Sequence, residues 1–253
     1  MRIGVWTTKT SVLLAFLFFS LDARAKESSA QDAEKEIVRL MWAIEKDDLP
    51  QLEKLIKEWK DPNREFSKGG ITLLHYAAMN GSINSLRLLL KVGAKVNLRA
   101  ESGSSPLDMA CSLGFVEVCK ELIKSGAEVN GVGKSGKTAL FYCKNVEVIT
   151  VLVESGADVH HTDALGRNSL HSAVLGKKVE VAKELVRLGV SPMALDKEGK
   201  SAKDLAKGVF ELENAVDKES SRAEENTKFG RDPKAKTLRT DEQKEDPPKD
   251  PAP

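Results

Sequence analysis

Histidine side chains are the first groups in this sequence of 253 residues that could hold a metal ion. They stand at His75, His160, His161 and His171, and only the middle two are adjacent. A zinc site needs three or four ligands at compatible spacing. No further ligand stands near the adjacent pair, so we predict no metal site.

The cysteines are the next candidates, because a thiolate can act as a nucleophile. Cys111, Cys119 and Cys143 have no partner histidine in any known catalytic signature, and their spacing is not that of a disulfide-built module. Small buried thiols are the default interpretation. A bridge between Cys111 and Cys119 stays an alternative in an oxidising compartment. However, helix geometry does not obviously place their Cα atoms within the ~7 Å that a disulfide requires.

Motifs of known catalytic sites give no stronger indication. We assign no G-x-S-x-G elbow, no H-E-x-x-H zinc motif, no Walker loop and no dinucleotide fingerprint. The glycines at 131 and 133 are weak candidates for a phosphate loop, and structural turns explain them better. The sequence therefore predicts a protein without catalytic residues and without a cofactor.

Charge excludes some partners. The 39 Lys and Arg residues nearly balance the 38 Asp and Glu residues. No net field therefore favours nucleic acid or an anionic membrane. We predict no nucleic-acid partner.

The N-terminal segment has the three parts of a cleaved signal peptide. Arg2 and Lys9 give a positive start, residues 11–21 are a short apolar core, and residues 23–25 read Ala-Arg-Ala. The apolar run is about half of the ~20 residues that span a bilayer. We expect export, cleavage after residue 25 and no stable membrane insertion afterwards. The periplasm is the predicted destination, with the extracellular space as the alternative.

Internal periodicity organises the rest of the chain. Two series of glycines recur at intervals of 33 residues, and one interval in each series is 30. The glycines stand at positions 70, 103, 136, 166 and 199, and at 93, 126, 156 and 189. Both series lose three residues in the same repeat, so one deletion between Cys143 and Val146 explains both.

The residues around these glycines repeat as well. Residues 71–78 read ITLLHYAA and residues 104–111 read SSPLDMAC, whereas GAKVN at 93–97 returns as GAEVN at 126–130. Over residues 67–206 this pattern resembles the ankyrin repeat. The resemblance implies an all-α ankyrin-repeat solenoid of helix-turn-helix repeats with short hairpin or loop tips. Four full repeats stand between degenerate N- and C-terminal caps.

The same resemblance gives roles to particular residues. His75 and His171 occupy the motif position whose side chain bonds to nearby backbone and holds the hairpin turn. Thr72 and Ser105 can cap first helices, and Gly93 can adopt the left-handed conformation that ends a second helix. One repeat cannot bury its own apolar face, so neighbouring repeats must stack.

Domain boundaries follow from composition. We predict a signal peptide at 1–25, a linker at 26–33, an ankyrin-repeat domain at 34–216 and a tail at 217–253. The tail holds five of the nine prolines with nine basic and ten acidic residues. Such a segment cannot bury enough apolar surface to offset its ordering entropy, and we predict that it is disordered.

The resemblance also implies where a partner binds. In ankyrin proteins the hairpin tips and the outward face of each first helix form a groove. The deletion is expected to notch it. Several positions are apolar with basic neighbours, which is typical of a protein-binding site. Register transfer predicts the groove residues Lys68, Ile71, Met79, Asn80, Arg99, Glu101, Ser104, Ser112, Leu113, Lys134, Lys137, Leu165, Arg167 and Leu175.

The predicted partner is another protein, namely a periplasmic enzyme. The chain resembles small periplasmic ankyrin proteins, a class that includes self-protection proteins of predatory bacteria that block peptidoglycan endopeptidases. The resemblance implies a non-catalytic inhibitor or immunity protein that occludes an exported enzyme such as a peptidoglycan peptidase. An envelope scaffold that supports another enzyme, such as catalase in peroxide resistance, is one alternative. A secreted effector that binds a host protein is another, and the oligomeric state stays open.

Overall fold

The computed structural model describes residues 27–208, together with 213, 214 and 217, with side chains from residue 34 onward. The predicted signal peptide and the predicted tail beyond residue 217 lie outside the described residues. So does most of segment 209–216, the end of the predicted ankyrin-repeat domain.

The described residues form ten α-helices and one 3-10 helix. Among them we find no strand, although an isolated bridge joins Leu195 to Ser201. The prediction of an all-α fold is confirmed. The elements are α1 (Glu27–Glu45), α2 (Leu49–Trp59), α3 (Leu73–Asn80), α4 (Ile83–Lys91), α5 (Pro106–Leu113), α6 (Val116–Lys124), the 3-10 helix η1 (Ala139–Tyr142), α7 (Val146–Glu154), α8 (Ser169–Leu175), α9 (Val179–Arg187) and α10 (Ala202–Ala206).

The chain divides into two compact units. The first runs to Asp158 and includes Thr162–Ala164. Its first helices pack in the order α1, α3, α5 and η1, and its second helices in the order α2, α4, α6 and α7. The core lies between these two rows, where Leu40, Leu74 and Leu107 are at most 1% exposed. Each such leucine contributes roughly 1.5–3 kcal/mol through burial.

Local signals explain where these helices begin and end. The Ser105 hydroxyl accepts a hydrogen bond from the N–H of Asp108 (3.1 Å) at the start of α5. Gly93, just after α4, has a φ of +95°, which side chains other than glycine rarely adopt. The predicted caps and the predicted helix end are confirmed.

Asparagines join consecutive repeats within the first unit. Asn97 donates to the carbonyl of Gly126 (3.0 Å) and accepts from the N–H of Glu128 (2.9 Å). Asn63 and Asn130 make the same pair of bonds to the following repeat. The asparagine at the end of each of these three repeats thus holds it to the following repeat through one side chain.

The N-terminal helix pair matches the predicted degenerate repeat, since α1 packs on α3 and α2 on α4. One boundary differs. Helix α1 begins at Glu27, so most of the segment 26–33, which the sequence analysis assigned to a linker, is helical. Alanine, glutamate and lysine in this segment favour a helix, and the apolar periodicity from Ile37 onward is continuous with it.

The third repeat carries the predicted deletion. Its first helix is reduced to the four-residue η1, and α7 begins at Val146 after three intervening residues. Asn145 caps α7 by accepting from the N–H of Val148 (3.1 Å) and donates to the carbonyl of Gly114 (3.3 Å).

The second unit comprises Val159–His161 and the described residues from Leu165 onward. In it, α8 packs against α9 and α10. No helix in the described part of the chain is long and apolar enough to cross a membrane.

Candidate protein-binding surface

The histidine at the start of α3 has a structural role. His75 Nδ1 accepts the backbone N–H of Thr72 (3.3 Å) and lies 2.9 Å from the Thr72 hydroxyl oxygen. On its other side, Nε2 donates to the carbonyl of Ser104 (3.3 Å) in the next hairpin. Burial lowers the pKa of His75 to about 4, although its bonds to backbone carbonyls act in the opposite direction. The ring is therefore neutral at pH 7.

His171 repeats this arrangement in the second unit. Its Nδ1 accepts the N–H of Asn168 (3.2 Å), and its Nε2 lies 3.2 Å from the carbonyl of Lys200. The predicted role of both motif histidines in holding hairpin turns is confirmed. His160 stands where the preceding repeats have the joining asparagine. Within the described residues, no group of histidine, cysteine and carboxylate side chains could hold a metal ion.

The hairpin tips of the first unit lie one against the next. The N–H of Glu101 donates to the carbonyl of Gly69 (2.8 Å). A Cβ placed on Gly103 would lie 2.4 Å from the backbone nitrogen of Lys134, so only glycine permits this approach. The tips therefore form one continuous row, as the register transfer assumed.

An open depression of about 510 Å³ lies on this row. It brings together three predicted groove residues, Arg99, Glu101 and Lys134, and its most exposed apolar side chain is Val132, at 49%. The whole lining consists of Glu65, Arg99, Ala100, Glu101, Gly103, Val132, Gly133 and Lys134.

The side chains that line the depression carry both charges. The Arg99 guanidinium donates to the carbonyl of Gly103 (2.8 Å) and to the buried Asp108 carboxylate (3.1 Å). The positive charge of Arg99 is thus paired with a carboxylate of its own repeat. Glu65 and Glu101 add two exposed carboxylates beside the exposed Lys134. A partner would therefore contact both acidic and basic side chains around the apolar Val132.

Other predicted groove residues lie at the hairpin bases and helix ends. Lys68 is exposed, and Ile71, Ser104 and Lys137 are half-buried next to their turns. The carbonyls of these last three residues accept the N–H groups of Phe66, Ala100 and Gly133, which closes the hairpins.

At the C-terminal ends of α3 and α5, the polar members bond to their own helix. The Asn80 amide donates to the carbonyl of Tyr76 (2.8 Å), and the Ser112 hydroxyl donates to that of Met109 (2.8 Å). Met79 and Leu113 are half-buried beside them. They retain apolar surface for contact.

In the second unit, Leu165 and Leu175 are 49% and 54% exposed, and Arg167 is half-buried. None of the predicted groove residues in either unit is buried.

Five lining residues were not among the predicted groove residues, and two of these five, Glu65 and Val132, have exposed side chains. Glu65 lies in the segment before the first full repeat, where the motif is weak. Val132 occupies the register position of Arg99 one repeat later. Applying the same register to the third hairpin would have found it.

The spacing of a Walker loop, which we expected to be absent, is present in the third hairpin. Residues 131–138 read GVGKSGKT and fit the G-x-x-x-x-G-K-[ST] spacing of a phosphate-binding loop. That motif requires a strand before it and a full helix after it. Here the N–H of Gly133 bonds to the carbonyl of Lys137 (3.1 Å), and only η1 follows. The segment is a hairpin, so the spacing results from two glycine turns.

Two of the cysteines meet across a helix pair of the first unit. The sulfurs of Cys111 and Cys119 lie 3.6 Å apart, and both side chains are fully buried. Gly114 ends α5 with a φ of +81°, and α6 returns antiparallel after a two-residue turn. Residues eight apart in sequence therefore face each other across the helix pair.

Comparison with known proteins gives the family. The family described as "Ankyrin repeats (3 copies)" matches residues 40–132, 101–163 and 120–196. Protein phosphatase 1 regulatory subunit 27 of Homo sapiens is 35% identical over 72 residues, which are 28% of this chain and 47% of that protein. The Mus musculus counterpart matches equally. The chain thus spans about half the length of the curated relatives that it matches. With more than half of its residues inside the matched repeats, the chain belongs to the ankyrin-repeat family and is a protein-binding module.

Proposed function

We propose that the chain is a non-catalytic inhibitor or immunity protein that binds an exported enzyme in the periplasm, such as a peptidoglycan peptidase. The observation that carries the proposal is the depression on the row of hairpin tips. It offers an exposed valine between side chains of both charges. The curated relative is named as a regulatory subunit of a phosphatase, which is in keeping with an enzyme as the partner.

The depression fits a protruding segment of a protein. Its volume of about 510 Å³ accommodates a few side chains. Binding energy at protein interfaces concentrates in a few apolar anchors that a polar rim shields from water. Val132 has the position of such an anchor, and Glu65, Glu101 and Lys134 supply a rim. A partner loop with one apolar side chain between a basic and an acidic residue is the complement.

The N-terminal segment supports export. Arg2, Lys9 and the apolar run of residues 11–21 fit a secretory leader. N-terminal sequencing of the protein purified from the periplasmic fraction of an expressing bacterium should begin at Lys26. Recovery of the protein only from the cytoplasm, with Met1 in place, would contradict this part of the proposal.

Binding is tested with a matched pair of valine substitutions in the first unit. Val132→Glu places a charge in the depression. Val92→Glu places the same charge just after α4, at a valine that is 39% exposed. Purified exported peptidoglycan endopeptidases from the source organism serve as the probe. We expect Val132→Glu to weaken binding at least tenfold in calorimetry and Val92→Glu to leave it unchanged. Equal affinities for both variants would place the interface elsewhere.

Inhibition is tested separately from binding. Endopeptidase activity on purified peptidoglycan is measured while the protein is added up to one equivalent. An inhibitor abolishes turnover at one equivalent, and Val132→Glu shifts the titration to higher concentration. Binding with unchanged activity would favour an envelope scaffold, for which a bound catalase or other enzyme should keep its full rate.

A further inference from the structure

A cluster of three thiols lies in the core of the first unit, away from the binding surface. Cys111 is in α5, Cys119 is in α6 and Cys143 directly follows η1, and all three are at most 1% exposed. The Cys111 thiol forms hydrogen bonds with both other thiols. The sulfurs of Cys111 and Cys119 lie 3.6 Å apart. Cys143 in turn donates to the carbonyl of Ala139 (3.8 Å).

The sulfurs of Cys111 and Cys119 are close enough for a small movement to join them. Bonded sulfurs lie about 2.05 Å apart. An approach of about 1.5 Å, within the range of side-chain torsions, would therefore join them. The two residues lie on antiparallel helices of one repeat, so the bridge would close a short loop around Gly114 and require no rearrangement between repeats. Cys143 lies in the next repeat, and its thiol already has a backbone acceptor.

We propose that Cys111 and Cys119 form a disulfide when the chain folds in the presence of a disulfide oxidant, and that Cys143 stays a thiol. This inference concerns the oxidation state of the core and does not depend on the identity of the partner. An exported chain encounters such oxidants, whereas a cytosolic chain is kept reduced.

The reaction consists of two thiol–disulfide exchanges. The Cys119 thiolate attacks one sulfur of the oxidant, which forms a mixed disulfide and releases one thiol of the oxidant. The Cys111 thiolate then attacks the Cys119 sulfur and expels the second thiol. The two protons lost by the cysteines are taken up by the two leaving thiolates. The cysteines are oxidised by two electrons, and the oxidant is reduced by two.

Burial decides when this happens. Hydrogen bonds to the neighbouring thiols, together with burial, raise the pKa of the Cys111 thiol, so the folded protein holds little thiolate there. The exchange therefore takes place while α5 and α6 come together. Once the pair is enclosed, the same burial shields the bridge from thiol reductants.

The test refolds the reduced full chain from urea with a mixture of oxidised and reduced glutathione. Free thiols are then alkylated in concentrated urea, which exposes buried cysteines, and a peptide map is recorded without reduction. We expect one alkylated residue, Cys143, and one linked peptide pair that contains Cys111 and Cys119. The intact mass should fall by two hydrogen atoms. Three alkylated cysteines, or a linked peptide that contains Cys143, would overturn the proposal.

Two variants make the result independent of any single substitution. Cys143→Ala should form the same bridge and leave no free thiol. Cys119→Ala should keep two free thiols. Refolding with a reductant in place of the glutathione mixture should give the wild type and Cys143→Ala melting temperatures about 5–10 °C lower than oxidative refolding gives. It should leave Cys119→Ala unchanged. If the melting temperature of Cys143→Ala were the same with and without the reductant, the proposal would also be overturned.

Discussion

The first helices of the first and third repeats both follow an N-cap threonine, but they differ in length. Thr72 and Thr138 occupy equivalent N-cap positions, and both are 2% exposed. In the first repeat, α3 runs for eight residues, and His75 Nδ1 accepts a hydrogen bond from the backbone N–H of Thr72. In the third, η1 runs for four residues, and Phe141 stands where the histidine would be. The Thr138 hydroxyl is then buried without a hydrogen-bond partner.

The difference separates what the stack requires from what it tolerates losing. Leu74 and Leu140, at equivalent positions, are 1% and 2% exposed, so the core is equally closed in both repeats. What the third repeat lacks is the cap and the last turn of its first helix. The lost turn is the part that carries Met79 and Asn80 in the first repeat. Stacking therefore depends on the buried leucines, and the deletion affects only the outward end of the helix.

The largest effect is expected from truncating these leucines. Leu74→Ala and Leu140→Ala should each lower the free energy of unfolding by about 3 kcal/mol, because each leaves a cavity in an enclosed site. Urea unfolding followed by circular dichroism measures both. If Leu140→Ala lowered the free energy of unfolding by less than half as much as Leu74→Ala, the third repeat would be loosely packed. The core would then not be equally closed in the two repeats.

A second prediction uses the titratable group that the first repeat has and the third lacks. The pKa of His75 is about 4 in the folded protein and about 6.5 in an unfolded chain. Between these values the unfolded chain binds a proton that the folded chain does not. Stability should therefore fall by about 3 kcal/mol as the pH drops from 7 to 4, and this loss levels off below pH 4.

His75→Gln is the control, because glutamine can still accept from the N-cap and does not titrate. The variant should lose about 3 kcal/mol less than the wild type over the same pH interval. Unfolding free energies at pH 7, 5.5 and 4 give the difference. Parallel pH profiles for the two proteins would assign the acid sensitivity to other groups.

The sequence predicted the repeats well because their signals are local. Threonine or serine caps, left-handed glycines and the spacing of apolar residues each act within one repeat, and the glycine series located the deletion. It did not predict that Cys111 and Cys119 touch, because that contact depends on how two helices face each other. Nor did it show that Asp108 forms an ion pair with Arg99, which reduces the positive charge that Arg99 offers to a partner. Both are products of packing, which spacing alone does not encode.

The smallest expected effect concerns the two threonine caps themselves. Thr72→Val removes a hydroxyl that lies 2.9 Å from His75 Nδ1 and should lower the free energy of unfolding by about 1 kcal/mol. Thr138→Val replaces a hydroxyl that has no partner with a methyl group of similar size. It should change stability by less than about 0.5 kcal/mol, or raise it, because an unpaired buried hydroxyl is costly. The extended backbone of Thr138, with a φ of −91° and a ψ of 172°, accepts valine without strain. Urea midpoints of the two variants resolve the pair. Equal losses would mean that the Thr138 hydroxyl is hydrogen-bonded after all, and that the third repeat keeps a cap like the first.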